Sequence, residues 1–185
     1  MERSFVGPVN CITLGDMRTL EFFFDCSSPW TYLAFEQIQR SNEGESIVID
    51  WRPFLVGGVF NTVNPSVYAS RENPVPVKAK YYGKDLADWA RYVGVSIGSP
   101  PIFPVNSVKA MRGAFVAIEN GLLIPYARRV FEAYWGELLD ISQDDVLAEI
   151  VGDVGIVTDE FFGKIGSDVY KKRLRENTQE LMDRG

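Results

Sequence analysis

The chain contains no histidine. That absence removes a Ser-His-Asp triad, a Cys-His dyad and any histidine-ligated metal. Any nucleophile here must be activated by a hydrogen bond, a helix terminus or a cation. Cysteine is almost as scarce. Cys11 and Cys26 stand alone, too few for a disulfide scaffold and at a spacing that matches no zinc motif. The expectation is a reduced, cytoplasmic protein with incidental thiols. There is no apolar run of ~18 residues, so no membrane-crossing helix is expected. Residues 1–16 hold Glu2, Arg3, Gly7, Pro8 and Gly15 and lack the continuous apolar stretch of a secretory signal. Residues 1–18 read as a flexible leader, with Met17 the more natural start of the working chain. Basic charge is also in deficit: 19 Lys+Arg face 25 Asp+Glu, giving a net charge of −6. A nucleic-acid partner, which wants a basic face, is excluded on that ground. No internal repeat or low-complexity segment is found.

What is present is a chain of one-domain size, 185 residues, 46% apolar and 13% aromatic, enough to build a core. Residues 19–26 read as a buried strand, short and aromatic-rich. Ser28 then stands as a helix N-cap, with Pro29 in the first turn, where its missing N–H costs nothing. The helix is expected to reach about Arg40 and stop at Ser41-Asn42-Glu43-Gly44. Ser46 to Arg52 alternates as a second strand, completing a parallel βαβ unit. Pro53 to Lys80, rich in Gly, Pro and Asn, reads as a long ordered loop. From Lys84 onward the period is helical. Leu86, Trp89, Ala90 and Val93 form one stripe, ending at Gly94. Val108, Met111, Phe115 and Ile118 form the next, closed by Asn120-Gly121. Ala127 to Trp135 form a third. Ser142, with Asp145 at the capping-box position, is expected to open a helix over 143–151, and Thr158 and Ser167 to cap two more. Two parallel strands cannot stand alone; further strands are expected on that ground, and the sequence does not contain them.

The strand-to-helix junction at Ser28-Pro29-Trp30-Thr31 carries the chemistry. A helix start presents unpaired N–H groups and about half a positive charge. It therefore favours an anion such as a thiolate. A hydroxyl there can donate a further hydrogen bond. The plainer alternative is that Ser28 only caps the helix, a role worth about 1 kcal/mol. The two roles are compatible, since a hydroxyl accepts one bond and donates another.

Taken with its neighbours, the sequence resembles 2-hydroxychromene-2-carboxylate isomerases and kappa-class glutathione transferases of the DsbA-like thioredoxin superfamily. The residues are Phe22-Phe23-Phe24-Asp25 with Ser27 to Phe35, Trp51 to Phe60, Lys84-Asp85-Leu86 with Trp89-Ala90-Arg91, Phe103-Pro104-Val105-Asn106 with Met111-Arg112-Gly113, and Ala133-Tyr134-Trp135. Their order and spacing follow the family from about residue 19 to the end. The resemblance implies an α/β, thioredoxin-like fold: a βαβ half over 19–60 and a mainly helical inserted domain over 61–185.

The resemblance implies glutathione as cofactor, with Ser28 as the catalytic serine that stabilises its thiolate. In the isomerases that thiolate adds to the conjugated system of hydroxychromene carboxylate. Ring opening, rotation and elimination then return glutathione and trans-o-hydroxybenzylidenepyruvate, a step of aromatic catabolism. It further implies Asn64, with Asn61 as the fallback, and Trp30 as glutathione contacts. Asn106 and Ser107 are the implied substrate contacts. Arg71, Lys78 and Lys80 are candidates to neutralise the carboxylate of a small aromatic substrate. A homodimer is the family expectation. The family continues past this point with a cis-proline loop, two strands and a polar pair that grips the γ-glutamyl end. The chain is expected to be a truncated form, with the C-terminal strands and helix of the fold missing. Two other readings stay open: a kappa-type transferase, and a non-catalytic binding module with an open sheet edge. A disulfide oxidoreductase is disfavoured, because Ser28 and Thr31 cannot exchange disulfides.

Overall fold

The computed structural model describes residues 18–42 and 47–185. The leader up to residue 17, and Cys11 within it, lie outside the described residues. Strand β1, Arg18–Phe24, and strand β2, Ile47–Pro53, pair in parallel with Phe22 opposite Trp51 and Phe24 opposite Pro53. They are the two strands of the sheet among the described residues. Helix α1, Pro29–Ser41, makes the crossover, as parallel pairing requires. The aromatic run of β1 sets the register's core face. Phe22 and Phe24 both meet the Trp51 ring edge-on, at 5.4 and 5.9 Å between centroids, a favoured aromatic geometry.

The stretch expected as one long loop is largely helical. Helix α2 spans Val56–Val63, α3 spans Ser66–Glu72 and α4 spans Pro76–Val93. Pro65 and Pro76 fall at helix starts, where proline is tolerated, and do not break helices here. Gly57 and Gly58, which weaken a helix on propensity alone, have a packing reason at the second position. A Cβ at Gly58 would lie 3.1 Å from Thr178 Cγ2. Helix α9, Asp168–Asp183, comes that close because the glycine is bare. Tertiary contact overrides propensity.

The remaining helices follow the sequence pattern with small shifts. Helix α5 spans Val108–Glu119, α6 spans Leu123–Phe131, α7 spans Asp144–Asp153 and α8 spans Thr158–Gly166. A π-helical segment, Glu132–Gly136, extends α6. Gly94 and Gly121 take left-handed conformations after α4 and α5, the conformation that favours glycine at a helix end. The cap expected at Ser142 falls one residue later, at Gln143. Thr158 is the first residue of α8, not its cap, and Ser167 caps α9 without a side-chain bond.

One apolar cluster joins residues on both sides of position 60. Tyr32 of α1 stacks on Phe131 of α6 at 4.8 Å and 4° between planes, and Phe35 packs on the same ring. Beside them the nearly buried Glu36 accepts a bidentate pair from Arg128, at 2.7 and 3.0 Å. Such fork geometry fixes orientation as well as adding energy. Leu33 packs with Ala90 and Val93 of α4. Helix α9 returns to the βαβ unit: Asn177 Nδ2 donates to the Pro53 carbonyl at 2.9 Å, and Thr178 Oγ1 accepts from Leu55 N–H at 3.1 Å.

Close packing in the helical block gives a stability prediction. A methyl group at Gly113 of α5 would sit 2.3 Å from Tyr126 Oη and 2.5 Å from Phe161 Cζ. Both side chains are fully buried and cannot swing away. Gly113→Ala is expected to lower unfolding free energy by about 1–3 kcal/mol, the usual cost of overpacking. Urea unfolding followed by circular dichroism reads this; an unchanged midpoint would contradict the packing.

Candidate functional site

Ser28 sits where β1 hands over to α1. Its backbone is extended, with φ −106° and ψ 122°, and its Oγ accepts from Thr31 N–H at 3.3 Å. The cap expected from sequence is therefore made. Its carbonyl accepts from Tyr32 N–H at 3.2 Å, which starts the helix. The hydroxyl proton of Ser28 has no acceptor among the described residues, so the donor half of this group is free. The Trp30 backbone N–H, in the first turn, is likewise without a partner among them. One hydroxyl and one amide thus converge at the positive end of α1, a donor set that suits an anion.

The turn is held from beneath by Asp25. This carboxylate is fully buried and has no cationic partner among the described residues. Its Oδ1 accepts from Ser27 N–H at 2.9 Å. Its Oδ2 accepts from Val56 N–H at 2.9 Å and from the Ser107 hydroxyl at 3.2 Å. The three donors belong to the turn before α1, the start of α2 and the loop before α5. Burial pushes the Asp25 carboxyl above its ordinary value of 3.8, against the pull of these hydrogen bonds. Sequence reading quoted Asp25 only as part of a pattern. The signal that could have singled it out is an acid closing an otherwise apolar strand, next to the helix start.

Those three elements enclose a cleft of about 450 Å3. It brings together four of the five expected site residues: Ser28, Trp30, Asn106 and Ser107. The Trp30 indole donates to Tyr82 Oη at 2.7 Å, joining α1 to α4 across the mouth. Asn106 Oδ1 accepts from the N–H of Val108, the first residue of α5, at 3.1 Å. Ser107 is buried and committed to Asp25. Phe103 and Pro104 are joined by a cis peptide bond and form one wall.

The fifth residue, Asn64, does not line this cleft. It ends α2, its Oδ1 accepts from Ser66 Oγ at 2.6 Å, and it borders an adjoining cavity of about 710 Å3. Asn61 lines the cleft instead and accepts from Tyr68 Oη at 2.8 Å. Of the three candidate cations, Arg71 lines the cleft, Lys78 lines only the adjoining cavity, and Lys80 lines neither. Phe60, Tyr68 and Tyr82, which sequence reading left without a role, supply much of the apolar wall. Cys26, two residues before Ser28, is buried. Burial first, and the Asp25 carboxylate second, push its thiol well above the ordinary range. It is therefore a packing residue and a poor nucleophile.

Asp25→Ala leaves two backbone N–H groups and a buried hydroxyl without their acceptor. It is expected to cost about 2 kcal/mol or more, at about 1–3 kcal/mol per unsatisfied buried group. The margin over this variant also depends on pH. Because the folded-state pKa of Asp25 is raised, its titration contributes most to stability below the unfolded carboxylate pKa. That contribution is lost as pH rises through the folded value. Urea unfolding of both proteins across the acid-to-neutral range should show the margin shrinking as pH rises. A margin that widens would contradict the burial of this carboxyl.

Known proteins resemble this chain in sequence and fold. Glutathione S-transferase kappa 2 of Caenorhabditis elegans is 29% identical over 177 residues, covering 91% of this chain and 77% of that protein. A 2-hydroxychromene-2-carboxylate isomerase of Pseudomonas putida is 25% identical over 170 residues, covering 89% of this chain and 79% of its own length. Among solved structures, a 2-hydroxychromene-2-carboxylate isomerase superposes with a TM-score of 0.73 at 22% identity, over 90% of this chain and 80% of that one. A cytosolic disulfide reductase of Pseudomonas aeruginosa, solved with glutathione, superposes at 0.60 with 17% identity, over 90% of this chain and 80% of that one; it shares the fold. Residues 19–185 match the DsbA-like thioredoxin domain, and the chain belongs to that family.

Proposed function

We propose that this protein is a glutathione-dependent isomerase of small aromatic carboxylates, of the kind that converts 2-hydroxychromene-2-carboxylate to trans-o-hydroxybenzylidenepyruvate. One observation carries the reading: the free hydroxyl proton of Ser28 and the free amide of Trp30 meet at the start of α1, inside an aromatic-walled cleft. The donors suit a thiolate. The cleft's volume, about 450 Å3, lies in the range of small-ligand sites. Ser28 and Trp30 would hold the sulfur end of glutathione, with Asn61 near it on the opposite wall.

Bound there, glutathione supplies a thiolate able to add reversibly to a conjugated acceptor. What the chain itself contributes is electrostatic. With no histidine and a buried, raised Cys26, Ser28 has no base beside it and is not the nucleophile. Its O–H donates to an anion and so lowers the pKa of a thiol placed there. One charge-assisted hydrogen bond is worth about 1.5–3 kcal/mol, and one pKa unit corresponds to about 1.4 kcal/mol. The hydroxyl alone can therefore shift the thiol by one to two units, to near neutrality from an ordinary value of about 8.5. The Trp30–Tyr82 contact and the Phe103–Pro104 wall border the site. Asn106 and Ser107 border the space left for the substrate.

Conjugation of glutathione to an electrophile, as in a kappa transferase, uses the same donors and ends with glutathione retained in the product. The reading also includes a cytoplasmic homodimer.

Ser28→Gly separates the hydroxyl's chemistry from its cap, since glycine at an N-cap costs only a few tenths of a kcal/mol. Turnover of hydroxychromene carboxylate is expected to fall at least about tenfold, the loss of one charge-assisted donor. The acid limb of the pH–rate profile should move to higher pH, because an unassisted thiol ionises later. Unchanged turnover by a folded variant would sink the assignment. Mass analysis of the product with wild-type protein distinguishes isomerisation, which returns free glutathione, from conjugation.

A further inference from the structure

Arg71 is the one charged residue lining the Ser28 cleft among the described residues. It lies on α3 and is exposed, and among the described residues it has no acidic partner within salt-bridge distance. Three aromatic rings surround its guanidinium instead. The central carbon stands 5.1 Å from the Phe103 ring centroid, 5.5 Å from Phe60 and 5.8 Å from Tyr68. These distances are within cation–π range. Tyr68 is itself anchored by its hydrogen bond to Asn61. The rings come from α2, α3 and the loop before α5, so the cation is placed where those elements meet over the cleft.

Several other arginines hold carboxylates: Arg52, Arg91, Arg128, Arg129, Arg173 and Arg184. Among the described residues Arg18, Arg40, Arg112 and Arg175 do not, and none of these other arginines lines the cleft. A guanidinium kept free of acids in a chain of net charge −6 retains its donors for an external anion. Rings can cover its faces while leaving its edge, with the N–H donors, open; a carboxylate binds that edge in a bidentate fork. The same rings offer an apolar slot to whatever carries that carboxylate.

We propose that Arg71, held by Phe60, Tyr68 and Phe103, is the specificity residue that binds the carboxylate of an aromatic acid, with the acid's ring lying along the cleft toward Ser28. The identity of the acid rests on the isomerase reading; the carboxylate site does not. Glutathione also bears carboxylates, and the test separates the two sources.

Calorimetric titration with 1-naphthoate and its neutral analogue 1-naphthamide reads the site directly, without turnover. Wild-type protein is expected to bind the acid about tenfold or more tightly than the amide, as one charge-assisted pair allows. Arg71→Gln should bind the two alike, and Arg71→Lys, which keeps charge but loses the fork, should fall between. Circular dichroism should show both variants folded, since Arg71 holds no structural ion pair. Equal binding of acid and amide by wild type overturns the proposal, as does discrimination that survives in Arg71→Gln. Weaker glutathione binding by Arg71→Gln, with naphthoate binding intact, overturns it in favour of glutathione's own carboxylate. Preserved naphthoate discrimination in a protein without isomerase turnover would remove the isomerase reading and leave the Arg71 site standing.

Discussion

The site depends on one buried carboxylate. Asp25 takes hydrogen bonds from three segments that lie far apart in sequence: the turn before α1, the start of α2 and the loop before α5. Each of those segments forms a wall of the cleft. An ionisable group without a counter-charge is costly to bury, and its raised pKa records that cost. In return it sets the spacing of Ser27, Val56 and Ser107 about a single point. No backbone ladder could do this, because the three segments are not strands of one sheet.

Above that anchor, the chemistry is a matter of hydrogen-bond inventory. Ser28 uses its acceptor capacity on Thr31 N–H and keeps its proton. The cap is made, and it leaves the donor role weighed from sequence open, because the two use opposite ends of one hydroxyl. The absence of histidine and the burial of Cys26 then restrict what that hydroxyl can do. It can stabilise an anion brought by another molecule, and it has no base to make itself one.

The walls are fixed by contacts of a different kind. Aromatic stacking of Tyr32 on Phe131 and the Glu36–Arg128 fork lock α1 to α6, so the helix start carrying Ser28 is rigidly placed. The Trp30–Tyr82 contact ties the same turn to α4. Helices α2 and α3 are tied to the rest chiefly by Asp25, by the approach of α9 at Gly58 and by the aromatic collar of Arg71. The described residues thus combine a firmly held side carrying Ser28 with a facing side built from two short helices.

The βαβ start, the Ser28 cap with Pro29 in the first turn, and the later helices were legible in the sequence, because they follow from local periodicity and capping chemistry. The family resemblance also pointed to Ser28, Trp30, Asn106 and Ser107, which the fold gathers in one cleft. Helices α2 and α3 were not legible. Their Gly and Pro residues argue for a loop, and only the packing of α9 against Gly58 and the hydrogen bond from Val56 to Asp25 give them a reason to form. The choice between Asn61 and Asn64 was open for the same reason: a helix there decides which amide borders the cleft. Sequence by itself determined what chemistry is possible, since it supplies a hydroxyl at a helix start and no base. Tertiary structure alone decided where the charges stand. A buried Asp25 beneath Ser28 and an Arg71 that is the one charged residue lining the same cleft among the described residues are juxtapositions of distant residues, which no local pattern encodes.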